Sequence, residues 1–352
     1  MVNGKFWKDK RVFITGHTGF KGSWLALWLA SLGARVSGYA LKPAGAPSLW
    51  ALVEAKSGIA STIADIRDLG ALSQAIGACE PEIVFHLAAQ SLVRPSYDDP
   101  VGTYATNVMG TVHLLEAVRK AGSVRAVVNV TSDKCYQNLE TGQDYQESDP
   151  MGGRDPYSSS KGCAELVTTA YRASFPGGAA IASARAGNVI GGGDWAQDRI
   201  VPDAVRAAVA GRVLQVRNPK AVRPWQHVLE PLAGYLRLAE YLHDTPAMFA
   251  EGWNFGPDEK DAVAVEKVVS AITRLWGPQA SWEADKGAHP HEAKFLQLDS
   301  SKARSRLGWK PRLGLQLALE WTVGWYKAQS QGADARQLTL AQIERYMGIT
   351  PA

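Results

Sequence analysis

The sequence has few cysteines, little net charge and no hydrophobic run of membrane-spanning length. Its 352 residues include three cysteines, Cys79, Cys135 and Cys163, and no C-x-x-C pair. A disulfide framework and a zinc or other metal site are therefore not expected, and this usage is typical of a reduced intracellular protein. The formal charge is +4, and no cluster of five or more Lys/Arg occurs. Nucleic acid is therefore not an expected partner.

Membrane and export signals are equally scarce. The most apolar helical stretch, WLALWLASLGA at 24–34, is about half as long as a membrane-spanning helix. The first ten residues, MVNGKFWKDK, are polar and lack the apolar core of a signal peptide. We therefore expect a cytoplasmic protein without membrane contact. The hydrophobic content of 46% and the charged content of 20% are those of a globular chain.

Short β-rich runs alternate with helical patterns through the first two hundred residues. The apolar runs are nearly continuous, which favours parallel strands covered on both faces. This repetition predicts an α/β fold, a doubly wound parallel (Rossmann-type) sheet over 1–190. A smaller α+β substrate-binding region is expected over 191–352, from which one segment can return to the main sheet. The predicted strands are 11–15, 34–41, 61–66, 82–89, 125–132, 180–190, 213–217, 252–255 and 294–298. The predicted helices are 20–32, 68–78, 107–121, 156–175, 201–211, 229–243, 263–276 and 313–328.

A glycine-rich turn, TGHTGFKG, follows the first predicted strand and opens a helix. Gly16, Gly19 and Gly22 let the backbone approach a pyrophosphate, whose charge is favoured by the helix N-terminus. This arrangement in one βα unit indicates a dinucleotide site. We expect His17 and Lys21 to face solvent. The window in which an acid would bind the ribose, SGYALK, contains no Asp or Glu, so this feature does not separate NAD from NADP.

Asp65 ends the third predicted strand in ADIRD. Its carboxylate can hydrogen-bond an adenine amino group of the cofactor. The alternative is an N-cap for the helix that follows. The sequence leaves both readings open.

The stretch PYSSSK places Tyr157 and Lys161 four residues apart, on one face of a helix. A tyrosine has an ordinary pKa of about 10 and is a poor base at neutral pH. A neighbouring ammonium, helped by a positive nicotinamide, is expected to lower the pKa of Tyr157. The pair is therefore a candidate proton-transfer site.

Several motifs together resemble the extended short-chain dehydrogenase/reductase superfamily, which includes sugar-nucleotide epimerases and dehydratases. They are the glycine turn, LAAQ at 87–90, N-V-x-G-T at 107–111, a Ser/Thr at the fifth strand end, and Y-x-x-x-K. Narrower motifs are similar to the CDP-glucose 4,6-dehydratase branch of that superfamily. They are GHTGFKG, TSDKCY at 131–136, RNPKAVRPWQHVLEP at 217–231 and HEAKFLQLDSSKA at 291–303.

The resemblance implies NAD as cofactor and an internal redox reaction on a nucleotide sugar, CDP-glucose. Tyr157 would take the proton of the C4 hydroxyl while the C4 hydride passes to NAD, with Ser132 bonded to the same oxygen. Water would then leave across C5 and C6, and the hydride would return to C6. Asp133 matches the acid of sugar-nucleotide dehydratases, a role that burial favours by raising the pKa of a carboxyl.

Lys134 stands where thymidine- and guanosine-linked dehydratases place a glutamate base, and the cytidine-linked branch also has Lys there. A desolvated, neutral lysine can act as the base, whereas a charged one can stabilise the enolate. The sequence leaves both roles open. A solvated Asp133–Lys134 charge pair at the strand end is the non-catalytic alternative.

The loop ARAGNVIGGGDW lies at the carboxyl edge of the predicted sheet, where ligands bind in such folds. Asn188 is a candidate contact for a sugar hydroxyl or the pyrophosphate, or part of a turn that reverses the chain. Arg199, Arg217 and Arg223 can converge on a diphosphate. Two aromatic neighbours, Trp195 and Trp225, are expected to pack in the core more readily than to stack on a base.

The predicted sites are therefore as follows. The catalytic residues are Ser132, Asp133, Lys134, Tyr157 and Lys161. The cofactor-binding residues are Gly16, Thr18, Gly19, Phe20, Lys21, Gly22, Asp65, Ile66, Leu87, Ala88, Ala89, Thr106, Tyr157 and Lys161. The substrate-binding residues are Gln90, Ser132, Asn188, Arg199, Arg217 and Arg223. His227 and His291 lack metal-ligand spacing and are treated as structural or substrate-adjacent.

Two other functions compete with dehydration. A sugar-nucleotide 4-epimerase or reductase would use the same Tyr157–Lys161 pair, but it has no elimination step that would need Asp133 and Lys134. A non-catalytic NAD-dependent binding protein would keep the glycine turn without needing Tyr157 and Lys161. By analogy with the superfamily, helices near 103–120 and 157–174 would pair with a second copy in a homodimer or higher oligomer. Their apolar faces could equally pack internally.

Overall fold

Seven parallel strands form the central sheet of the protein in a computed structural model. The structure describes residues 1–43, 45, 47–140, 142–285, 287 and 296–349. The strands in chain order are β1 (Arg11–Thr15), β2 (Arg35–Ala40), β3 (Ala60–Ile63), β4 (Ile83–His86), β5 (Ala126–Val130), β6 (Ala180–Arg185), β7 (Val189–Ile190), β8 (Val213–Val216), β9 (Val222–Pro224), β10 (Gln226–His227), β11 (Gly252–Asn254), β12 (Ala262–Ala264) and β13 (Ser281–Ala284). The central sheet has the order β11-β6-β5-β4-β1-β2-β3, and all its pairs are parallel. The predicted doubly wound parallel sheet is confirmed.

The helices in chain order are α1 (Gly4–Trp7), α2 (Phe20–Ser31), α3 (Leu49–Val53), α4 (Leu69–Cys79), α5 (Val93–Asp98), α6 (Pro100–Tyr104), α7 (Gly110–Ala121), α8 (Pro156–Ser174), α9 (Ile200–Val209), α10 (Leu229–Asp244), α11 (Pro246–Phe249), α12 (Val265–Trp276), α13 (Ser301–Leu307), α14 (Leu315–Ser330) and α15 (Ala335–Gly348). A π-helical turn, Ala105–Met109, precedes α7, and short 3-10 turns occupy Glu54–Lys56, Asp133–Cys135 and Glu259–Asp261. Within the described residues, no helix is long and apolar enough to cross a membrane.

The two faces of the central sheet belong to two separate hydrophobic cores. In β1, Val12 and Ile14 enter the core that also holds Trp24 of α2, whereas Phe13 enters the core that holds Leu114 of α7. Successive side chains of a strand point to opposite faces, so a strand covered on both faces must be apolar at every position. This explains the nearly continuous apolar runs in the first half of the sequence.

The second half of the chain adds three small two-stranded sheets, which pair β7 with β10, β9 with β12 and β8 with β13. One strand from this half, β11, joins the central sheet beside β6. The helices α9, α12 and α14 pack among these small sheets. The result is an α+β region that borders the carboxyl ends of the central strands.

Some element boundaries differ from the prediction. The run predicted as a strand over 61–66 ends at Ile63, so Asp65 follows the strand. The run over 180–190 divides into β6 and β7, because Asn188 adopts a φ of 45° between them. Of the strand predicted over 294–298, residues 294 and 295 lie outside the described residues, and Leu298 makes an isolated bridge to Tyr145. Helix α15 follows the last predicted element.

Candidate active site

A cavity of about 2200 Å³ lies along the carboxyl ends of the central strands. Its wall begins at the glycine turn after β1 and continues past the ends of β2, β4 and β5 to the small sheets of the second half. Pockets for a single drug-sized ligand measure roughly 300–1,000 Å³. The cavity therefore has room for a dinucleotide and a second ligand together.

The glycine turn forms the dinucleotide end of this cavity. A Cβ on Gly22 would lie 2.1 Å from the carbonyl oxygen of Gly16, so the turn is too tight for a side chain there. Gly19 precedes α2 and has no side chain to cap the helix, which leaves first-turn N–H groups for an anion. These features fit the pyrophosphate of NAD. The predicted cofactor residues that line the cavity are Gly16, Thr18, Gly19, Phe20, Lys21, Gly22, Asp65, Ile66, Leu87, Ala88, Ala89, Thr106, Tyr157 and Lys161.

The expectation that His17 and Lys21 face solvent is wrong. His17 is fully buried, its Nε2 lies 2.8 Å from Ser61 Oγ, and its ring meets Trp50 edge-on. Burial lowers the pKa of His17 to about 4. The ammonium of Lys21 points inward to Tyr235 Oη at 3.4 Å, and desolvation lowers its pKa to about 7. Both residues lie within the glycine turn, where His17 packs against β2 and Lys21 reaches α10.

The helix-capping interpretation of Asp65 is also wrong. The N-cap of α4 is Asp68, whose carboxylate accepts a hydrogen bond from the N–H of Ala71. Asp65 instead pairs with Arg67 at 2.6 Å, and this guanidinium lowers its pKa. Its position on the cavity wall leaves the adenine contact as the prediction that stands.

The segment 131–136, which we call the active-site turn, follows β5 and carries Ser132, Asp133 and Lys134. The Ser132 hydroxyl donates to Asp133 Oδ1 at 3.0 Å and accepts from the N–H of Lys134 at 3.2 Å. Asp133 is 3% exposed. A Cβ on Gly187 would lie 1.8 Å from Asp133 Oδ2, so the carboxylate rests directly on the Gly187 backbone.

The alternative of a solvated charge pair is therefore wrong. Asp133 is buried, and within the described part of the chain it forms no ion pair with Lys134. Lys134 is half-buried and lines the cavity beside Ser132 and Asp133. The structure thus places a carboxylate and an amine separately at the wall of one cavity.

Tyr157 and Lys161 reach the same cavity from the first two turns of α8. Asp155 caps this helix, and the Tyr157 N–H donates to Ser96 Oγ at 3.2 Å. Lys161 Nζ lies 3.5 Å from the carbonyl oxygen of Val130, at the end of β5. The helix therefore fixes both side chains against the active-site turn.

The protein alone does not lower the pKa of Tyr157 as expected. Burial raises it to about 12, although a hydrogen bond with Ser132 acts in the opposite direction. Burial also lowers the pKa of Lys161 to about 8. The expected lowering of the Tyr157 pKa would therefore depend on the positive nicotinamide of the bound cofactor.

Three predicted arginines and Asn188 also line the cavity. Arg199 pairs with Asp194 at 2.9 Å, and Arg217 pairs with Asp198 at 2.8 Å. Arg223 hydrogen-bonds the carbonyl oxygen of Val222. All three arginines therefore line the same cavity, and Asp194 and Asp198 orient the guanidinium groups of Arg199 and Arg217. Their convergence on a diphosphate stays a prediction.

Other predicted residues lie elsewhere. Gln90 is not among the described residues that line the cavity, and its side chain bonds Leu92 of its own loop and Thr103 of α6. His227 is buried between Trp24 and Trp321 and is structural. Trp195 and Trp225 touch the cavity but pack into the core, as expected. His291 lies outside the described residues.

The sequence analysis missed the residues that support the binding groups. Arg94 lines the cavity and reaches Asp198, the carboxylate that also holds Arg217. Gly187 supports Asp133 from a segment about fifty residues further along the chain. The two acids of GDWAQDR, which are close to an arginine in the sequence, could have indicated the carboxylates that pair with the arginines. No local pattern indicates the contact between Gly187 and Asp133.

A Rossmann-type sheet with a glycine turn, together with Ser132 after β5 and the Tyr157–Lys161 pair on α8, defines a short-chain dehydrogenase/reductase of the extended type. The sequence profile described as GDP-mannose 4,6 dehydratase matches residues 13–321. The chain therefore belongs to the GDP-mannose 4,6-dehydratase family.

Individual proteins agree with this membership. The chain is 54% identical to a CDP-glucose 4,6-dehydratase from Salmonella typhimurium, over 99% of both sequences. It is 27% identical to a dTDP-glucose 4,6-dehydratase from Xanthomonas campestris, over 89% of this chain and 92% of the relative.

Solved structures confirm the fold. An epimerase from Methanothermobacter thermautotrophicus superposes with a TM-score of 0.82 at 23% identity, covering 93% of this chain and 95% of that one. A dTDP-glucose 4,6-dehydratase from Bacillus anthracis in complex with NAD superposes with a TM-score of 0.77 at 22% identity, covering 92% and 98%.

Proposed function

We propose that the protein is an NAD-dependent lyase that converts CDP-glucose to CDP-4-keto-6-deoxyglucose and water. The observation that carries this proposal is the 54% identity, over 99% of both chains, to a CDP-glucose 4,6-dehydratase. The cavity supports it, because one wall holds Ser132, Asp133, Lys134, Tyr157 and Lys161 together.

The residues at the end of β5 and on α8 manage the proton of the sugar C4 hydroxyl. NAD, when bound, stores the hydride that leaves C4 and later returns to C6. Tyr157 accepts the hydroxyl proton, and Ser132 holds the same oxygen. Lys161 keeps positive charge beside the phenolate.

The elimination uses Asp133 and Lys134 of the active-site turn. Asp133 gives a proton to the C6 hydroxyl, which leaves as water, while C5 loses its proton beside the 4-keto group. Lys134 either takes the C5 proton as a neutral amine or stays charged and stabilises the enolate.

A 4-epimerase is not favoured by this site. Epimerisation removes and returns one hydride at C4 and involves no leaving hydroxyl. It therefore has no use for a buried carboxylate such as Asp133, which costs free energy to desolvate. A non-catalytic NAD-binding protein would not require Tyr157, Lys161 and the active-site turn at one cavity.

Incubation of the purified protein with NAD and CDP-glucose in deuterated water tests the proposal. We expect a product that lacks the C6 oxygen and carries solvent deuterium at C5. An unchanged sugar, or inversion at C4 without exchange, would contradict the proposal. Parallel reactions with UDP-glucose, dTDP-glucose and GDP-mannose test the nucleotide, and we expect the cytidine compound to react fastest.

We also propose that two copies pair through the face formed by α6, the π-helical turn and α8. Val101, Met109 and Leu166 are 79%, 46% and 61% exposed there, and α8 packs against both other elements. Large apolar side chains grouped on adjacent helices are typical of an interface. We expect a homodimer by light scattering and a monomer for Leu166→Glu, whereas an unchanged mass of that variant would place the interface elsewhere.

A further inference from the structure

A buried ion pair lies behind the active-site turn. Glu165 of α8 and Arg185 at the end of β6 meet through two hydrogen bonds, from Nη2 to Oε2 at 2.8 Å and from Nε to Oε1 at 2.9 Å. Their side chains are 2% and 6% exposed. Neither residue lines the cavity, yet Glu165 lies two helical turns beyond Tyr157 and one beyond Lys161.

The glutamate end of this pair holds the first residue of the active-site turn. Thr131 Oγ1 donates to Glu165 Oε1 at 2.5 Å, and Ser183 Oγ of β6 donates to Oε2 at 2.6 Å. Each carboxylate oxygen thus accepts one hydroxyl and one guanidinium bond. Thr131 adjoins Ser132, whereas Ser183 lies within β6, away from the cavity.

The arginine end holds the last residue of the same turn. Arg185 Nη1 donates to Tyr136 Oη at 2.6 Å and to the carbonyl oxygen of Glu147 at 3.1 Å. The guanidinium also lies 5.0 Å from the centre of the Tyr136 ring. Tyr136 Oη in turn donates to Asn254 Oδ1 at 2.7 Å. One ion pair therefore bonds both ends of a six-residue turn.

Stability alone does not explain a buried charge pair at this place. Desolvation of two ions roughly cancels their attraction, and apolar residues of the same volume are often as stabilising or more so. What the pair adds is directional, fully satisfied hydrogen bonding between the helix that carries Tyr157 and Lys161 and the turn that carries Ser132–Lys134. Small displacements of such groups lower rates steeply.

We propose that the Glu165–Arg185 ion pair is a positioning element for the reaction, which sets the active-site turn relative to Tyr157 and Lys161 by holding Thr131 and Tyr136. The effect on turnover rests on the proposed dehydratase function. The ordering of the turn does not, because it follows from the contacts alone.

Two variants that each lose one hydroxyl group distinguish an effect on the position of the active-site turn from an effect on protein stability. Thr131→Val and Ser183→Ala each remove one short hydroxyl bond to the same carboxylate, and valine keeps the shape of threonine. We expect Thr131→Val to lower kcat by about ten-fold or more with little change in KM, since misplacement by about 1 Å can cost about a hundred-fold. Ser183→Ala should stay within about two-fold, and Thr131→Ser should recover most of the loss.

Hydrogen exchange of the peptide covering 131–136 gives a readout that needs no substrate. We expect faster exchange of this peptide in Thr131→Val and in Tyr136→Phe, which releases the arginine end, and wild-type exchange in Ser183→Ala. Equal effects of Thr131→Val and Ser183→Ala on exchange and kcat, or no effect of the turn variants, would overturn the proposal. A wild-type protein inactive on CDP-glucose would refute the proposed function, and the exchange comparison would then decide the positioning proposal alone.

Discussion

Replacing Gly187 by alanine tests how strictly the position of Asp133 matters. Gly187 has no positive φ, so alanine is compatible with its backbone, and the strain comes from contact with Asp133. The added Cβ would lie 1.8 Å from Asp133 Oδ2 and 2.2 Å from its Cγ. The carboxylate must therefore move, because its neighbour at 187 is backbone.

The structure gives the size of this displacement. Cβ atoms essentially never approach another heavy atom closer than 3.0 Å, so the 1.8 Å contact must open by about 1.2 Å. A misplacement of about 1 Å in a reacting group can cost about a hundred-fold in rate. We therefore expect Gly187→Ala to lower kcat by about a hundred-fold, with the loss in water elimination rather than in the first oxidation at C4.

Rapid-mixing measurements distinguish the two steps, because the first oxidation appears as absorbance of reduced nicotinamide and the elimination as its disappearance. Gly77→Ala is the matched control, since Gly77 is exposed on α4 with nothing within 4 Å of its added Cβ. We expect this control to keep full activity and to be slightly more stable. Full activity of Gly187→Ala would refute the reasoning that Asp133 acts from its observed place.

Two further predictions concern the buried carboxylates and the active-site turn. Glu230 accepts the N–H groups of Arg312 and Leu313 and the hydroxyl of Tyr346, and burial raises its pKa to about 7 from 4.5. Between pH 4.5 and about pH 7 the Glu230 carboxyl is protonated in the native state and ionised in the unfolded chain. The contribution of this protonation to the free energy of unfolding is therefore complete below pH 4.5 and is lost as the pH rises through about 7. The pKa difference of about 2.5 units corresponds to on the order of 3 kcal/mol. As the pH rises from about 5 to about 8, the wild type should lose about that much unfolding free energy, whereas Glu230→Gln should not, because glutamine does not titrate. Denaturant titration at the two pH values measures this, and a pH-independent difference would contradict it. Asp133→Asn and Lys134→Ala should each slow elimination more than the first hydride transfer, and both proposed roles fail if turnover stays within about two-fold of wild type.

Local sequence patterns predicted most of the central sheet and the line of residues along its edge. β1, β4 and β5 are buried on both faces along most of their length, so each is a nearly continuous apolar run that ends where the polar site begins. The glycine turn, the active-site turn and the Tyr157–Lys161 pair were readable for the same reason. Each is a short segment whose position follows from the strand or helix that carries it.

Contacts between distant segments were not readable. Gly187 supports Asp133 because β5 and β6 are neighbours, and only the sheet order brings the two residues together. Gln90 was assigned to substrate from its motif, but Thr103 and Leu92 compete successfully for its amide. His17 was expected to face solvent because it is polar in a turn, whereas Ser61 and Trp50 enclose it.

The most direct test of the account follows one hydrogen atom. CDP-glucose carrying deuterium at C4 of the glucose is converted by the protein with NAD in ordinary water, and the product is examined by NMR. The account predicts that the deuterium appears at C6 of the 4-keto-6-deoxy sugar, because the same hydride leaves C4 and returns within one cavity. Deuterium that remains at C4, or that is lost from a dehydrated product to the solvent, would contradict it.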